Sequence, residues 1–254
     1  MILLFDIGNT HTHVGLANGR RVVRQINLPT GEWRGGNAPT GVAGFVGQKK
    51  IEGAVLCSVV PRVTPLVHHV LRRLWNTSAL ELTPKTVRGL DIDYPKPNTI
   101  GPDRLANAVA ARHHFGAPVV VVDFGTAVTF DVVDRAGHYA GGIIAPGLAA
   151  RTDYLHEKTA LLPKIRIREV TAVVGKNTEQ AMLVGAVHGY RGLVRELIAE
   201  LKRELRARRL PVIATGGYAR LMASKLPEIS AVEPNLTLEG LRLTWAATYP
   251  YGHL

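Results

Sequence analysis

The strongest constraint on the fold is a pattern that the sequence writes twice. "FDIGNTHTHVG", Phe5 to Gly15, sets an acid, a glycine and two hydroxyl residues in quick succession after a short apolar run. A looser copy, "VDFGTAVTFDV", occupies Val122 to Val132, aligning Asp6 with Asp123, Gly8 with Gly125 and Thr12 with Thr129. The first copy lies among "ILLF", "HVGLA" and "RVVRQI", which the turn residues "ANG" divide as in an antiparallel meander. The second lies among "VVVVDFG", "AVTFDVVD" and "HYAGGIIAPG", again strand, strand, strand. Each meander is followed by alternating helix and strand. "GAVLCSVVP" reads as a buried strand ending at Pro61, and "PLVHHVLRRLW" places Leu66, Val67, Val70, Leu71 and Leu74 on one helical face. "LPVIATGGYARLMA" reads as strand, Gly-Gly turn and helix, and "LTLEGLRLTWAA" as a final helix. With 46% apolar residues, a chain of 254 can supply cores for two such units. The expectation is two related α/β lobes facing one another, residues 1–116 and 117–254, with the boundary near Gly116 to Pro118.

Two helices have readable starts. In "GPDRLANAVAARHHFG", Pro102 suits the first turn, where its missing N–H costs nothing, and Gly116 closes the far end. Asp103 and Arg104 therefore fall in the opening turn. A long helix begins at an Asn177 cap with Gln180 at the capping-box position. "GEWRGGNAPTG", Gly31 to Gly41, is rich in Gly and Pro and reads as a mobile loop.

Composition narrows the function classes. No apolar stretch approaches the roughly 20 residues of a membrane span, and Met1 runs straight into a strand, so a cytoplasmic protein is expected. The lone Cys57 excludes an internal disulfide framework and reads as a core residue. A formal net charge of +11 favours anionic company, which nucleic acid, anionic lipid and phosphorylated metabolites would all satisfy. The densest basic run, "LKRELRARR", is interleaved with Glu at helical spacing and reads as a solvated face; no zinc-ligand spacing, aromatic stacking cluster or RNA-binding signature accompanies it. No nucleic-acid or membrane partner is expected. The pairs His68–His69 and His113–His114 lack a third ligand and read as helix-surface or packing residues.

The chemistry concentrates in the repeated turn. In "DIGNT", a strand, an Asp, a Gly and a hydroxyl at a hairpin tip leave backbone N–H groups to cradle phosphate, with the carboxylate available to a metal or its waters. Ordinary turn chemistry explains the same residues. Asp123 ends an all-valine run, where an unpaired carboxylate would be costly; a cation or a hydrogen bond to the neighbouring turn resolves it. Two such turns facing one another would grip a nucleotide phosphate chain. The chain has no Walker lysine and no P-loop.

Duplicated lobes, acid-Gly-hydroxyl turns and a later "ATGG" are what the actin, sugar-kinase and heat-shock-protein superfamily looks like. Within it the chain resembles the type III pantothenate kinases: "DIGNT", "SVVP" at Ser58–Pro61, "GPDR" at Gly101–Arg104, "DFGTAVTFD" at Asp123–Asp131, "GGIIAPGL" at Gly141–Leu148, "TALLP" at Thr159–Pro163, "GKNT" at Gly175–Thr178, "ATGG" at Ala214–Gly217 and "LTLEGL" at Leu236–Leu241. The motifs run in order along essentially the whole chain. The resemblance implies duplicated ribonuclease-H-like lobes, a central nucleotide cleft, and ATP-dependent phosphorylation of pantothenate, the first step of coenzyme A synthesis. It implies that Asp6, Ile7, Gly8, Asn9, Thr10, His11, Thr12 and His13 form the ATP phosphate loop, with Asp6 beside magnesium through water. It assigns the base to Asp103, the pantothenate site to Tyr94, Gly101, Pro102, Asp103, Arg104 and Thr178, an ATP contact to Thr126, and a potassium or ammonium ion to Asp123. It further implies a homodimer, for which the helix from Asn177 to Arg209 is the candidate surface, because its amphipathic pattern is long for one small lobe.

The residues themselves allow those roles beside plainer ones. At a helix start the dipole would keep Asp103 ionised and only weakly basic, which suits a late proton transfer; a capping aspartate has the same place. Arg104 could bind a carboxylate or phosphate, or be a surface arginine. Tyr94, before Pro95, sits on an extended loop where it could cover an apolar part of a substrate or pack on its own lobe. Thr178 follows a helix cap where N–H groups favour anions. A regulatory nucleotide-binding homologue and a kinase of another small hydroxy acid are the rival functions. Three features depart from the family pattern: Pro102 where the family commonly has Ala, His11 and His13 where it has neutral residues, and the Gly31–Gly41 segment, which matches no family signature.

Overall fold

The structure, a computed structural model, describes residues 1–250. Its strands are β1 (Ile2–Ile7), β2 (His11–Ala17), β3 (Val22–Pro29), β4 (Gly53–Ser58), β5 (Ala79–Glu81), β6 (Asp91–Ile92), β7 (Val119–Phe124), β8 (Ala127–Val133), β9 (His138–Pro146), β10 (Val212–Thr215) and β11 (Ala231–Val232). Its helices are α1 (Glu32–Gly35), α2 (Asn37–Val46), α3 (Thr64–Trp75), α4 (Pro102–Phe115), α5 (Leu148–Lys158), α6 (Thr178–Glu204), α7 (Ala219–Ala223) and α8 (Leu236–Thr248). The chain forms two compact units. The first is Met1–Gly116 with Gly137–Ala140 and the described residues from Asn235; the second is Ala117–Ala136 with Gly141–Pro234.

The repeat is visible in the sheets. The first has order β3-β2-β1-β4-β5, and the second contains β9-β8-β7-β10-β11 in the same sequence of connections, with β6 added beside β9. In each, a three-stranded meander puts its first strand in the middle, where it also pairs in parallel with a later strand. Strands buried on both faces read as unbroken apolar runs, which is why "ILLF" and "VVVV" carry no alternation. The first core gathers Leu3, Phe5, Val14, Leu56, Val67 and Leu71; the second gathers Val120, Val122, Phe130, Val187, Val194 and Val212.

Four expectations change here. The alignment of Thr12 with Thr129 is off by one. Thr12 pairs with Ile7, whereas Phe124, the counterpart of Ile7, pairs with Val128; the first turn holds one extra residue. His13, opposite Asp6, is therefore the counterpart of Thr129, opposite Asp123. The Gly31–Gly41 segment is two short helices rather than a loop, because Trp33 and Ala38 are buried and anchor it. On α3 only Val67, Val70 and Leu71 are buried, while Leu66 and Leu74 lie at the edge of the stripe and are exposed. Finally, Asn235 and α8 do not belong with 117–234, since they group with the first unit. There Thr237 donates to Asn107 of α4 at 2.8 Å, and Arg242 pairs with Glu239 and donates to the carbonyl of Gly19 at 3.0 Å.

The long helix starts as its sequence indicates, with the Asn177 side chain accepting from the Gln180 N–H at 2.9 Å. Gln180 returns the bond to the Lys176 N–H, one residue before the cap. The apolar face of α6, with Leu183, Val187, Tyr190, Val194 and Ile198, is spent inside its own unit. Its buried Arg191 makes a two-pronged bond to Glu169, at 2.9 and 2.6 Å, tying down the irregular chain that precedes the helix.

Candidate active site

In the first unit the sheet sets three side chains in one row. Asp6 near the end of β1 stands opposite His13 of β2 and beside Cys57 of β4, and directly paired residues share a sheet face. The Cys57 thiol donates to Asp6 Oδ1 at 3.5 Å. Burial first, and then the charges of Asp6 and Asp103, push that thiol well above its ordinary range, so it remains a neutral donor. Asp103, in the first turn of α4, is thereby placed near the same row.

The turn after Asp6 is closed by the Gly8 N–H donating to the His11 carbonyl at 3.0 Å. Asn9, Thr10 and His11 are exposed at its tip, whereas the side chains of Ile7 and Thr12 are fully buried. Of the run from Asp6 to His13, those two face the core. Burial, with neighbouring His11 second, holds His13 below the usual histidine range, so it is neutral around pH 7.

Asp103 departs from its expected electrostatics. Burial raises its carboxyl above the ordinary aspartate value and outweighs the bond from the Arg104 N–H, at 2.9 Å, and the Arg104 charge. The desolvation of a half-buried first turn exceeds the helix-end effect that the sequence suggested, and it makes the group a better proton acceptor once ionised. The carboxyl folds back over Gly101, where an added Cβ would come within 2.5 Å of Asp103 Oδ1; that position must stay small for the acid to hold its place.

Arg104 and Tyr94 meet through a residue that the sequence reading did not single out. The buried Tyr139 ring lies 5.9 Å from the Arg104 guanidinium and 6.4 Å from the Tyr94 ring, which meets it edge-on. Tyr139 is brought there by the pairing of Ile92 with Tyr139 between β6 and β9. Only this long-range pairing reveals it, because "HYAGG" reads locally as a plain strand start.

In the second unit the equivalent row is Thr129, Asp123 and Thr215. Gly216 follows with φ +87°, and a Cβ there would overlap Asp123 Oδ1 and the Phe124 backbone. A side chain is excluded both by conformation and by space. The Gly125–Thr126 turn is exposed, and the Gly147 N–H donates to the Thr126 carbonyl at 3.2 Å. Thr178 is the exposed first residue of α6. Among the described residues, no group of three or more His, Cys, Asp or Glu could hold a metal ion, and no helix is long and apolar enough to cross a membrane.

Two ribonuclease-H-like units, each with an acid at the end of its central strand and a tight turn after it, define the class: an actin-like fold of the kind used by sugar kinases. Solved structures share this fold at low sequence identity. A Campylobacter jejuni protein assigned to the Baf family of transcriptional activators superposes with a TM-score of 0.61 at 20% identity, covering 98% of each chain. The polyphosphate/ATP-glucomannokinase of Arthrobacter sp. strain KM gives 0.50 at 12% identity, covering 97% of this chain and 98% of that one. The sequence then fixes the branch. The type III pantothenate kinase profile matches residues 2–200, and the type III pantothenate kinase of Methylacidiphilum infernorum is 43% identical over 244 residues, 95% of this chain and 87% of that protein. The chain belongs to the type III pantothenate kinase family.

Proposed function

We propose that this chain transfers the terminal phosphoryl group of ATP to the primary hydroxyl of pantothenate, giving 4'-phosphopantothenate. The observation that carries the reading is the grouping of Asp6, Asp103 and Arg104 in the first unit, in a chain that spans the family's motifs from end to end. Phosphoryl transfer through a loose transition state asks for alignment and charge neutralisation more than for covalent help. Asp103 orients the pantothenate hydroxyl and receives its proton as the bond to phosphorus forms. Its raised carboxyl and its place over Gly101 suit that duty. Arg104, braced on Tyr139, pairs with the substrate carboxylate, and Tyr94 covers the apolar part of the chain. Thr178 adds a hydroxyl contact.

The tip of the turn, beyond the Gly8 N–H that the His11 carbonyl already occupies, receives ATP phosphate oxygens on its N–H groups, and Thr126 makes a further ATP contact. The donor set around Asp6 fits magnesium: a single carboxylate beside a neutral thiol suits an ion that takes one or two protein oxygens and completes its shell with water and phosphate. Magnesium, when bound, supplies neutralisation of phosphate charge. Asp123 Oδ1 and the Ala127 carbonyl oxygen both lie close to Gly125, at 3.6 and 3.4 Å from where its Cβ would be; oxygen atoms of this kind are the donors that we assign to a larger, weakly hydrated cation such as potassium or ammonium. A homodimer is proposed through the outer face of α6, where Gly185, Gly189 and Gly192 are exposed with open space around them; its support is that face rather than the helix's length. Sedimentation as a monomer at micromolar concentration would remove the dimer.

The deciding experiment is ATP turnover with and without pantothenate, for the wild type and Asp103→Asn. Turnover is expected to require pantothenate and to fall by about 10²- to 10⁴-fold in the variant. Turnover indifferent to pantothenate, or undiminished in the variant, rejects the reading.

A further inference from the structure

The Gly31–Gly41 segment, which fits no motif of the family, reaches the phosphate turn through a buried chain of hydrogen bonds. Trp33 on α1 is 3% exposed and packs edge-on against Phe5, with ring centroids 6.2 Å apart. Its indole N–H donates to Thr12 Oγ1 at 3.1 Å. Thr12 Oγ1 and Thr30 Oγ1 lie 3.0 Å apart, and Thr30 Oγ1 donates to the Gly8 carbonyl at 2.7 Å. Thr12 and Thr30 are both buried.

Counting protons gives the chain a direction. Indole N–H can only donate, and a carbonyl can only accept. The Thr30 proton is committed to Gly8, so Thr30 must accept from Thr12. Thr12 therefore donates to Thr30 and accepts from Trp33. All three bonds point one way, from Trp33 through Thr12 and Thr30 to the Gly8 carbonyl, an arrangement in which successive bonds polarise one another. The Thr30 N–H also donates to the Thr10 carbonyl at 3.0 Å, fixing the turn at a second point.

The Gly8 carbonyl belongs to the same peptide as the Asn9 N–H. In a trans peptide the two point in opposite directions. Holding the carbonyl inward turns the Asn9 N–H outward at the exposed tip, and drawing charge from the carbonyl makes that N–H a stronger donor. We propose that Trp33, Thr12 and Thr30 are positioning residues that preset the Asn9 N–H for a nucleotide phosphate oxygen. This rests on the reading of the Gly8–His11 turn as the ATP phosphate site.

The test uses the whole chain with Thr30→Val, which keeps the shape and removes the hydroxyl, Thr30→Ser, which restores it, and Trp33→Phe, which removes the indole donor while keeping an aromatic ring against Phe5. MgATP affinity is measured by calorimetry, and KM for ATP and for pantothenate by turnover. Thr30→Val is expected to raise the Kd and KM for ATP by about 5- to 10-fold, the worth of one well-placed hydrogen bond, with the pantothenate KM within about twofold. Trp33→Phe is expected to give a smaller loss in the same sense, and Thr30→Ser to recover most of the wild-type affinity. Should Thr30→Val not fold, Trp33→Phe and Thr30→Ser carry the same comparison. Unchanged ATP affinity in folded Thr30→Val or Trp33→Phe, or equal losses for ATP and pantothenate, overturns the inference alone. A wild type that binds no MgATP overturns the reading of the turn as well.

Discussion

The two central strands end in the same acid but in different company. Asp6 has His13 on one side and a thiol donor on the other, while Asp123 has Thr129 and Thr215. The residue after the flanking strand position differs too. In the first unit it is Ser58, whose hydroxyl accepts from Thr64 at 2.8 Å and from the Val60 N–H at 3.1 Å; in the second it is Gly216, pressed against the acid. The first turn is one residue longer and is held from beneath by side chains. The second is held by backbone, through the Gly147 N–H and the Tyr218 N–H, the latter donating to the Phe124 carbonyl at 3.4 Å. One backbone scheme thus yields two sites. The thiol gives Asp6 a side-chain donor at its flank, whereas Gly216 brings bare backbone close against Asp123.

With Asp6 proposed on the magnesium side and Asp123 on the potassium side, removing the two charges is expected to have unlike consequences. Asp6→Asn is expected to lower kcat/KM by about 10²- to 10³-fold at every salt concentration, as for loss of an electrostatic group at the reacting phosphate. Asp123→Asn is expected instead to raise the potassium concentration for half-maximal activity by about 10-fold, which a potassium titration measures. Equal behaviour of the two variants would break the comparison.

Gly216→Ala is next in size. A Cβ at positive φ that also meets the Phe124 backbone is expected to cost about 1–3 kcal/mol in urea unfolding and to weaken potassium activation. Ser58→Ala, at the corresponding place in the first unit, is expected to cost about 1 kcal/mol through its lost hydrogen bonds, with potassium dependence unchanged.

Cys57→Ala sharpens the first row by deleting only the donor to Asp6. The KM for MgATP is expected to rise by about 3- to 5-fold, and Cys57→Ser to recover part of it. A variant with wild-type KM would mean that the thiol merely fills space.

The smallest effects come from pH, and their signs differ between the units. Because the folded-state carboxyl of Asp103 is raised by burial, its contribution favours the fold at low pH and is lost as pH rises through the folded value. Asp103→Asn should therefore melt slightly above the wild type at neutral pH even as turnover collapses. Glu169 in the second unit is lowered to about 2, chiefly by its bonds to Arg191. Its contribution is present above the ordinary value of 4.5 and is lost as pH falls toward about 2. Its carboxylate is 38% exposed, so solvent screening keeps the effect modest. Thermal melts of Glu169→Gln at pH 7 and pH 3 are expected to differ from the wild type more at the higher pH than at the lower.

Much of this was legible in the residues, for physical reasons that also explain the misses. The meanders, the strand before Pro61, the start of α4 at Pro102 and the Asn177 cap are local events, written in apolar runs and caps. What escaped depends on distant partners. Trp33 turns a Gly-rich stretch into helix because Phe5 and Thr12 receive it. Tyr139 joins Arg104 and Tyr94 through strand pairing. Thr12 differs from its apparent twin because one extra turn residue shifts the register, and a shift of one residue exchanges the two faces of a strand. Asp103 kept its helix-start position as expected, but the direction of its titration was decided by burial, which helix position alone does not reveal.

The placement of α8 bears on how the protein is made. The first unit takes in α8, so the second unit, although later in sequence, has all of its own residues before the first has this helix. On a ribosome, where early domains ordinarily fold first, the earlier-starting unit must wait with the surface of α4 that α8 covers still bare.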